Sequence, residues 1–83
     1  MGRYVFYEKE LFPMDNRPEQ VYGIMRDTIS YWKHEYPNES EYVVKHAKFL
    51  ETKVERQAHN YSIVTRVVGT MTEKDYILYK LKY

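Results

Sequence analysis

The first residues of the chain mix aromatic and β-branched side chains with polar ones. Residues 3–12 read Arg-Tyr-Val-Phe-Tyr-Glu-Lys-Glu-Leu-Phe and are followed by Pro13. A run of this composition that stops at a proline predicts a strand, and residues 14–17 are predicted to turn. The two faces of the predicted strand carry Tyr4, Phe6, Glu8 and Glu10 on one side and Arg3, Val5, Tyr7 and Lys9 on the other.

Apolar side chains then recur at helical spacing until Pro37. This spacing predicts one helix over residues 18–36. Asn16, with a glutamate three residues later, has the form of a capping box, and Pro18 suits a first helical turn. Gly23 costs such a helix about 1 kcal/mol relative to alanine, so we interpret it as a sign of close packing. The predicted apolar stripe consists of Val21, Met25, Thr28, Ile29, Trp32 and Tyr36.

Residues 39–58 are compatible with two structures. Asn38 and Glu41 repeat the capping pattern, and the apolar residues that follow are three or four positions apart, which predicts a second helix over residues 42–58. The residues from Leu50 onward also alternate, which favours a helix that turns into a strand near that point. The full helix is the preferred interpretation, and the second one stays open. The apolar positions concerned are Val43, Ala47, Leu50, Val54 and Ala58.

The last third of the chain predicts two strands. Residues 61–71 are dense in β-branched side chains and follow a predicted turn at residues 59–60. Residues 75–83 alternate and are predicted to return as a closing strand, although Thr72 followed by Asp75 is also a pattern that caps a short helix. In the closing strand, Ile77, Tyr79 and Leu81 would share the core side with Tyr4 and Phe6.

These elements predict a single α+β domain over residues 1–83. Its order is β-α-α-β-β, with two layers and a three-stranded, mainly antiparallel sheet. The alternative order is β-α-β-β-β, if residues 42–58 contain a strand. Consecutive helices must share one face of so small a sheet, so the other face is expected to be open to water or to a partner.

Composition narrows the function classes. The chain has no cysteine, which excludes a disulfide framework, a cysteine-based zinc site and a thiol nucleophile. Ten tyrosines among 83 residues are incompatible with a disordered, low-complexity tail. No segment has the apolar length of a membrane span or a signal peptide. We therefore expect a soluble, intracellular, cytoplasmic protein with no membrane partner.

Groups for catalysis or metal binding are sparse. His34, His46 and His59 have spacings that match no metal motif. Glu55 lies four residues before His59, so the two side chains could touch if residues 55–59 were helical. A domain of this size is too small to form readily an enclosed cleft of the kind that raises the pKa of a catalytic carboxylate. We predict no catalytic residue, no metal, no cofactor and no enzymatic activity.

A single-stranded nucleic-acid binder is the alternative hypothesis. Tyrosines beside lysine or arginine on an open sheet can stack and hold a single strand. The net charge of +1 fits a polyanion less well than it fits a protein. The residues that would carry this role are Arg66, Lys80, Lys82 and Tyr76, with Arg3, Tyr7 and Lys9 on the sheet, and Lys45, Lys48 and Arg56 on the second helix.

The predicted order of strand, helix, helix and strands is similar to that of small ribosome-dependent RNase toxins. This resemblance, which is one of element order alone, implies a small RNase-type enzyme as a third hypothesis. The chain lacks the excess of positive charge that gripping RNA requires.

The density of aromatic residues favours a protein-binding function. Ten tyrosines, a tryptophan and four methionines exceed what a small core can enclose, and exposed aromatic rings anchor interfaces. The preferred hypothesis is a non-catalytic module that inhibits or adapts a larger protein, such as a viral or phage factor directed at a host protein. The alternative is that the open sheet face packs against a second copy of the chain and forms a homodimer. The predicted partner-binding residues, on the open sheet face, are Val5, Tyr7, Arg66, Tyr76, Leu78 and Lys80.

Overall fold

The computed structural model describes residues 1–12, 18–59 and 61–83. The described residues form an α+β domain, which confirms the predicted fold class. The predicted turn over residues 14–17 and the cap at Asn16 lie outside the described residues. The elements within them are β1 (Gly2–Leu11), α1 (Pro18–Arg26), α2 (Thr28–Glu35), α3 (Pro37–His46), β2 (Lys48–Gln57), β3 (Ser62–Met71) and α4 (Glu73–Lys82).

The strands form an antiparallel sheet in which β3 is central, with β1 and β2 on either side of it. The predicted strands over residues 3–12 and 61–71 are confirmed. β3 is buried along most of its length, as its many valines, isoleucine and threonines indicate. Since β3 has a partner on both sides, its backbone has no free edge for another strand.

The preferred prediction for residues 42–58 is wrong, and its open alternative is right. The helix ends at His46, and residues 48–57 form β2. Leu50 and Val54 fit a helical stripe and a strand alternation equally well, so the pairing of β2 with β3 decides between them. The predicted cap at Asn38 is also wrong: α3 already begins at Pro37, which suits a first helical position, and Tyr36 occupies the capping position.

The predicted closing strand is wrong as well, because residues 73–82 form the helix α4. The hydroxyl of Thr72 accepts a hydrogen bond from the backbone N–H of Asp75 at 3.2 Å, which is the capping alternative seen in the sequence. Glutamate and aspartate in the first turn and lysines in the last turn complement the helix dipole.

The helix predicted over residues 18–36 begins at Pro18 as expected but breaks at Asp27. The Asp27 carboxylate accepts a hydrogen bond from the N–H of Ser30 at 3.0 Å and so caps α2. The Thr28 hydroxyl donates to the carbonyl of Ile24 at 2.8 Å, so the Thr65 hydroxyl donates to Thr28, at 2.7 Å. These buried hydrogen bonds hold the junction between α1 and α2 against the centre of β3.

A β-bulge in β1 reverses the predicted direction of Tyr7. The register with β3 shifts between Val5 and Tyr7, and both Phe6 and Tyr7 are buried in consequence. Phe6 lies on the core side, as predicted. Tyr7 was expected on the open face but joins the core.

The core lies between the sheet and the helices. Its larger cluster contains Phe6, Tyr7, Trp32, Val43, Val67, Met71 and Tyr79, and a smaller one contains Leu11, Val21 and Ile63. Each of the four helices of the described residues therefore packs on the same side of the sheet. Among the residues described, no helix is long and apolar enough to cross a membrane.

Candidate protein-interaction surface

The six predicted partner-binding residues do not share one face. Val5 is exposed and, with Arg66, lies on the outer sheet face, which is the face turned away from the helices. Tyr7 is buried. The other three, Tyr76, Leu78 and Lys80, belong to α4 rather than to a strand. The predicted grouping is therefore wrong, because it assumed an unbroken β1 and a closing strand.

Charged side chains on the outer sheet face neutralise one another. The Arg66 guanidinium donates to Glu8 at 2.7 Å and to Glu55 at 2.9 Å, and so links the three strands. Arg3 donates to Glu51, and this hydrogen bond lowers the pKa of the Glu51 carboxyl. A face whose arginines already have carboxylate partners offers little to an acidic or polyanionic ligand.

The cations of the nucleic-acid hypothesis are also dispersed. Arg66 lies on the sheet, whereas Lys80 and Lys82 lie on α4, with their ammonium groups 5.8 Å and 5.6 Å from the ring centres of Tyr76 and Tyr83. Of the second predicted set, Lys45 is on α3, and Lys48 and Arg56 are on β2 rather than on a helix.

One side of α4 is fixed in the core. The Tyr79 hydroxyl donates to the carbonyl of Phe6 at 3.3 Å, and burial raises the pKa of Tyr79 to about 12. Tyr76 stacks on Tyr4 with ring centres 3.7 Å apart. The Tyr42 hydroxyl of α3 donates to the carbonyl of Asp75 at 3.0 Å. These contacts set the rotation of α4 about its axis.

The opposite side of α4 carries three aliphatic residues that the described structure leaves about half exposed or more. Ile77 is 50% exposed, Leu78 47% and Leu81 80%. At about 100° per residue they span an arc of roughly 100° turned away from Tyr79. We call these three residues the exposed side of α4.

A groove of about 550 Å³ runs between α3 and α4, beside Leu78 on the helical wheel. In this α3–α4 groove, the Tyr83 hydroxyl donates to the carbonyl of Asn38 at 3.3 Å. His46 Nδ1 lies 3.8 Å from a carboxylate oxygen of Asp75. The residues that line it are Asn38, Glu41, Tyr42, Lys45, His46, Lys82 and Tyr83.

Lysines around α4 lack the ionic partners that the outer sheet face provides. In the described residues, no carboxylate lies within ion-pair distance of Lys45, Lys74, Lys80 or Lys82, whereas Arg3, Lys53 and Arg66 all have one. Lys9, Lys33 and Lys48 of the described residues have no such partner either, so cations without an ion pair are spread over the molecule rather than concentrated near α4.

The histidines are not assembled into a site. His34 is exposed on α2, His46 is at the end of α3, and His59 is exposed in the turn between β2 and β3. Glu55 lies on a strand and pairs with Arg66, so the helical Glu55–His59 pair does not exist. Within the described parts of the chain, no three histidine or acidic residues are grouped as metal ligands would be.

Sequence reasoning named Leu78 but assigned Ile77 and Leu81 to the core. Their exposure follows from α4 being a helix, since Tyr79 and Tyr76 then take the inward positions. The spacing of Thr72 and Asp75, which is typical of a helix cap, was the sequence feature that indicates α4 and hence this exposed surface. No family model, no curated protein and no solved structure matches the chain.

Proposed function

We propose that the chain is a non-catalytic module that binds a larger protein, as an inhibitor or adaptor, through the exposed side of α4. The observation that carries this proposal is the exposure of Ile77, Leu78 and Leu81 on a helix whose other side is fixed in the core. Contiguous exposed aliphatic residues on a small domain are typical of interaction sites.

The contacts that hold α4 against the core lower the entropic cost of binding a partner. Tyr79 and Tyr76 hold the helix in place, so little conformational entropy is lost when a partner docks. Covering the remaining exposed surface of each of Ile77, Leu78 and Leu81 contributes roughly 1–2 kcal/mol. A polar rim around this centre would complete an interface of the usual anatomy.

The non-catalytic part of the proposal rests on how the titratable groups are distributed. The three histidines are separated, and Arg66, Glu8 and Glu55 are engaged with one another on an exposed surface. A general acid or base acts from a position where its pKa and orientation are controlled. Among the described residues the nearest histidine–carboxylate pair is His46 and Asp75, whose atoms lie 3.8 Å apart, beyond hydrogen-bond distance.

The test is affinity capture of partners from an extract of the cells in which the chain is native, with and without nuclease treatment. Three baits are compared: the unaltered chain, Ile77→Ala/Leu81→Ala, and Tyr22→Ala. Tyr22 is 55% exposed on α1 and serves as the matched control. Alanine is a good helix former, so the double variant is expected to unfold within about 0.5 kcal/mol of the unaltered chain.

We expect a protein that the unaltered chain and Tyr22→Ala both retain and that Ile77→Ala/Leu81→Ala loses. Retention of every partner by the double variant would contradict the proposed surface. Loss of all partners on nuclease treatment would instead favour the nucleic-acid hypothesis.

A further inference from the structure

We infer that β2 pairs along its outer edge with β2 of a second copy of the chain, as antiparallel strands related by a two-fold axis. β2 has β3 on one side, and no strand among the described residues lies on its other side. The backbone N–H and C=O groups along such an edge are a template for another strand. This edge lies apart from α4, and the inference does not rest on the proposed function.

β2 is the more regular of the two edges of the sheet. From Glu51 to Gln57 each residue of β2 lies opposite one residue of β3 without a bulge, and this stretch contains no proline or glycine. The register of β1 instead shifts between Val5 and Tyr7, and a bulge bends a strand edge away from further pairing. β2 therefore offers the longer uninterrupted template.

The helices leave the second half of β2 uncovered. Val54 lies opposite Thr65, whose hydroxyl is hydrogen-bonded to Thr28 of α2, so Val54 is on the helix side of the sheet. It is nevertheless 45% exposed, and Arg56, two residues further along the same side, is exposed as well. The edge is therefore accessible here from both faces of the sheet.

The charges of β2 complement those of its own copy. The uninterrupted stretch is centred on Val54, so antiparallel pairing with itself places Val54 opposite Val54 of the second copy. Lys53 then lies opposite Glu55 of the second copy, and by symmetry this pair occurs twice on the outer sheet face. Directly opposed residues have Cβ atoms about 4.5–5.5 Å apart, so the opposite charges attract and the two valines pack together.

The neighbouring registers lack this complementarity. Moving the centre by one residue, to Lys53 or Glu55, would place that charge opposite itself, and like charges directly opposed destabilise a strand pair. A centre at Thr52 would extend the pairing to Phe49, whose φ of 56° interrupts the extended backbone. The charges and the backbone thus select one register.

The edge of β1 shows the contrast. Its uninterrupted part from Tyr7 to Leu11, paired with itself about its centre, would place Lys9 opposite Lys9 and Glu8 opposite Glu10. Every charge in that pairing would face a like charge. Of the two edges, β2 is the one that complements itself, and this favours a second copy over an unrelated strand as its occupant.

The dimer would contain one continuous sheet of six strands, in the order β1-β3-β2-β2-β3-β1. α4 packs on β1, where Tyr76 stacks on Tyr4, so the exposed side of α4 stays free in both copies. Seven paired residues a side are fewer than the roughly 20–30 of a standard interface. We therefore expect a weak dimer, with a dissociation constant in roughly the micromolar range.

The first test is sedimentation equilibrium of the full chain up to about 1 mM, compared with Lys53→Glu, with Glu55→Lys and with their equimolar mixture. Each variant alone should dimerise at least about tenfold more weakly, because four like charges then meet across the junction. The mixture should regain the dimer, since one copy then contributes only carboxylates and the other only ammonium groups. Lys33→Glu, at an exposed position of α2, is the charge-matched control and should dimerise like the unaltered chain.

The second test reads the register with single cysteines, since the chain has none of its own. Val54→Cys would place two thiols opposite each other with Cα atoms about 4.5–5.5 Å apart, within the reach of a disulfide. Arg56→Cys lies on the same edge and side, but its two copies would be roughly 14 Å apart along the strands. After mild oxidation we expect a disulfide-linked dimer of Val54→Cys and at least about tenfold less of it for Arg56→Cys.

A chain that stays monomeric up to about 1 mM would overturn the inference. Dimerisation of Lys53→Glu at the strength of the unaltered chain would do the same, as would equal disulfide linkage of Val54→Cys and Arg56→Cys. A dimer that Ile77→Ala/Leu81→Ala dissociates would overturn it in favour of a contact through α4.

Discussion

Tyr7 shows how far one backbone irregularity can move a side chain. Strict alternation along β1 places it on the outer sheet face, but the bulge between Val5 and Tyr7 turns it into the core. Its hydroxyl donates to Glu35 at 3.2 Å, and burial together with Glu35 raises the pKa of Tyr7. No residue in the local sequence marks a bulge at this position, so strand periodicity could not predict it.

Tyr7→Ala is expected to lower the free energy of unfolding by about 3–5 kcal/mol, because it empties the space of a buried aromatic ring. Tyr7 is 9% exposed. Chemical denaturation followed by circular dichroism measures the loss, with Tyr22→Ala as the exposed tyrosine control. A Tyr7→Ala protein as stable as that control would contradict the placement of Tyr7 in the core.

At the scale of elements, the sequence predicted most of the helices and strands. It assigned a helix to residues 48–57, which form a strand, and a strand to residues 75–83, most of which form a helix. Both errors concern segments whose apolar spacing fits a helix and a strand. For residues 48–57 the deciding factor is pairing with β3, which is a non-local interaction. For α4 the deciding contact is local, the cap from Thr72 to Asp75, and it was visible in the sequence.

Gly23 and Gly69 differ in the space that the structure leaves for a side chain. Gly23, in α1, was interpreted as a close-packing position, but a Cβ there meets no described atom within 4 Å. Gly69, in β3, lies under Leu50, and a Cβ there would come within 2.8 Å of the Leu50 Cδ2 and 3.1 Å of the Lys48 carbonyl oxygen. The interpretation of Gly23 is therefore wrong, and close packing occurs at Gly69 instead.

Gly23→Ala is expected to stabilise the protein by about 0.5–1 kcal/mol, because it removes backbone freedom from the unfolded chain without a clash. Gly69→Ala is expected to destabilise it by about 1–3 kcal/mol, because the extra methyl overpacks the sheet. Thermal unfolding of both variants measures the difference. Destabilisation by Gly23→Ala would show a contact that the described structure lacks.

At the scale of the whole molecule, the outer sheet face and the exposed side of α4 differ in chemistry. Salt bridges across β1, β3 and β2 link the charged side chains of the outer sheet face, whereas the exposed side of α4 is aliphatic. The sequence predicted a free apolar surface from its excess of aromatic residues. It could not predict where that surface lies, because the answer depends on α4 being a helix.

Photo-crosslinking in the native cells tests the central claim most directly, since it reports what touches one chosen position. A photoreactive phenylalanine derivative replaces Leu81 in one protein and Tyr22 in the control, which are 80% and 55% exposed. We predict a light-dependent adduct with another protein at position 81 and none at position 22. Adducts at position 22 alone, equal labelling at both positions, or no adduct at position 81 would contradict α4 as the binding surface.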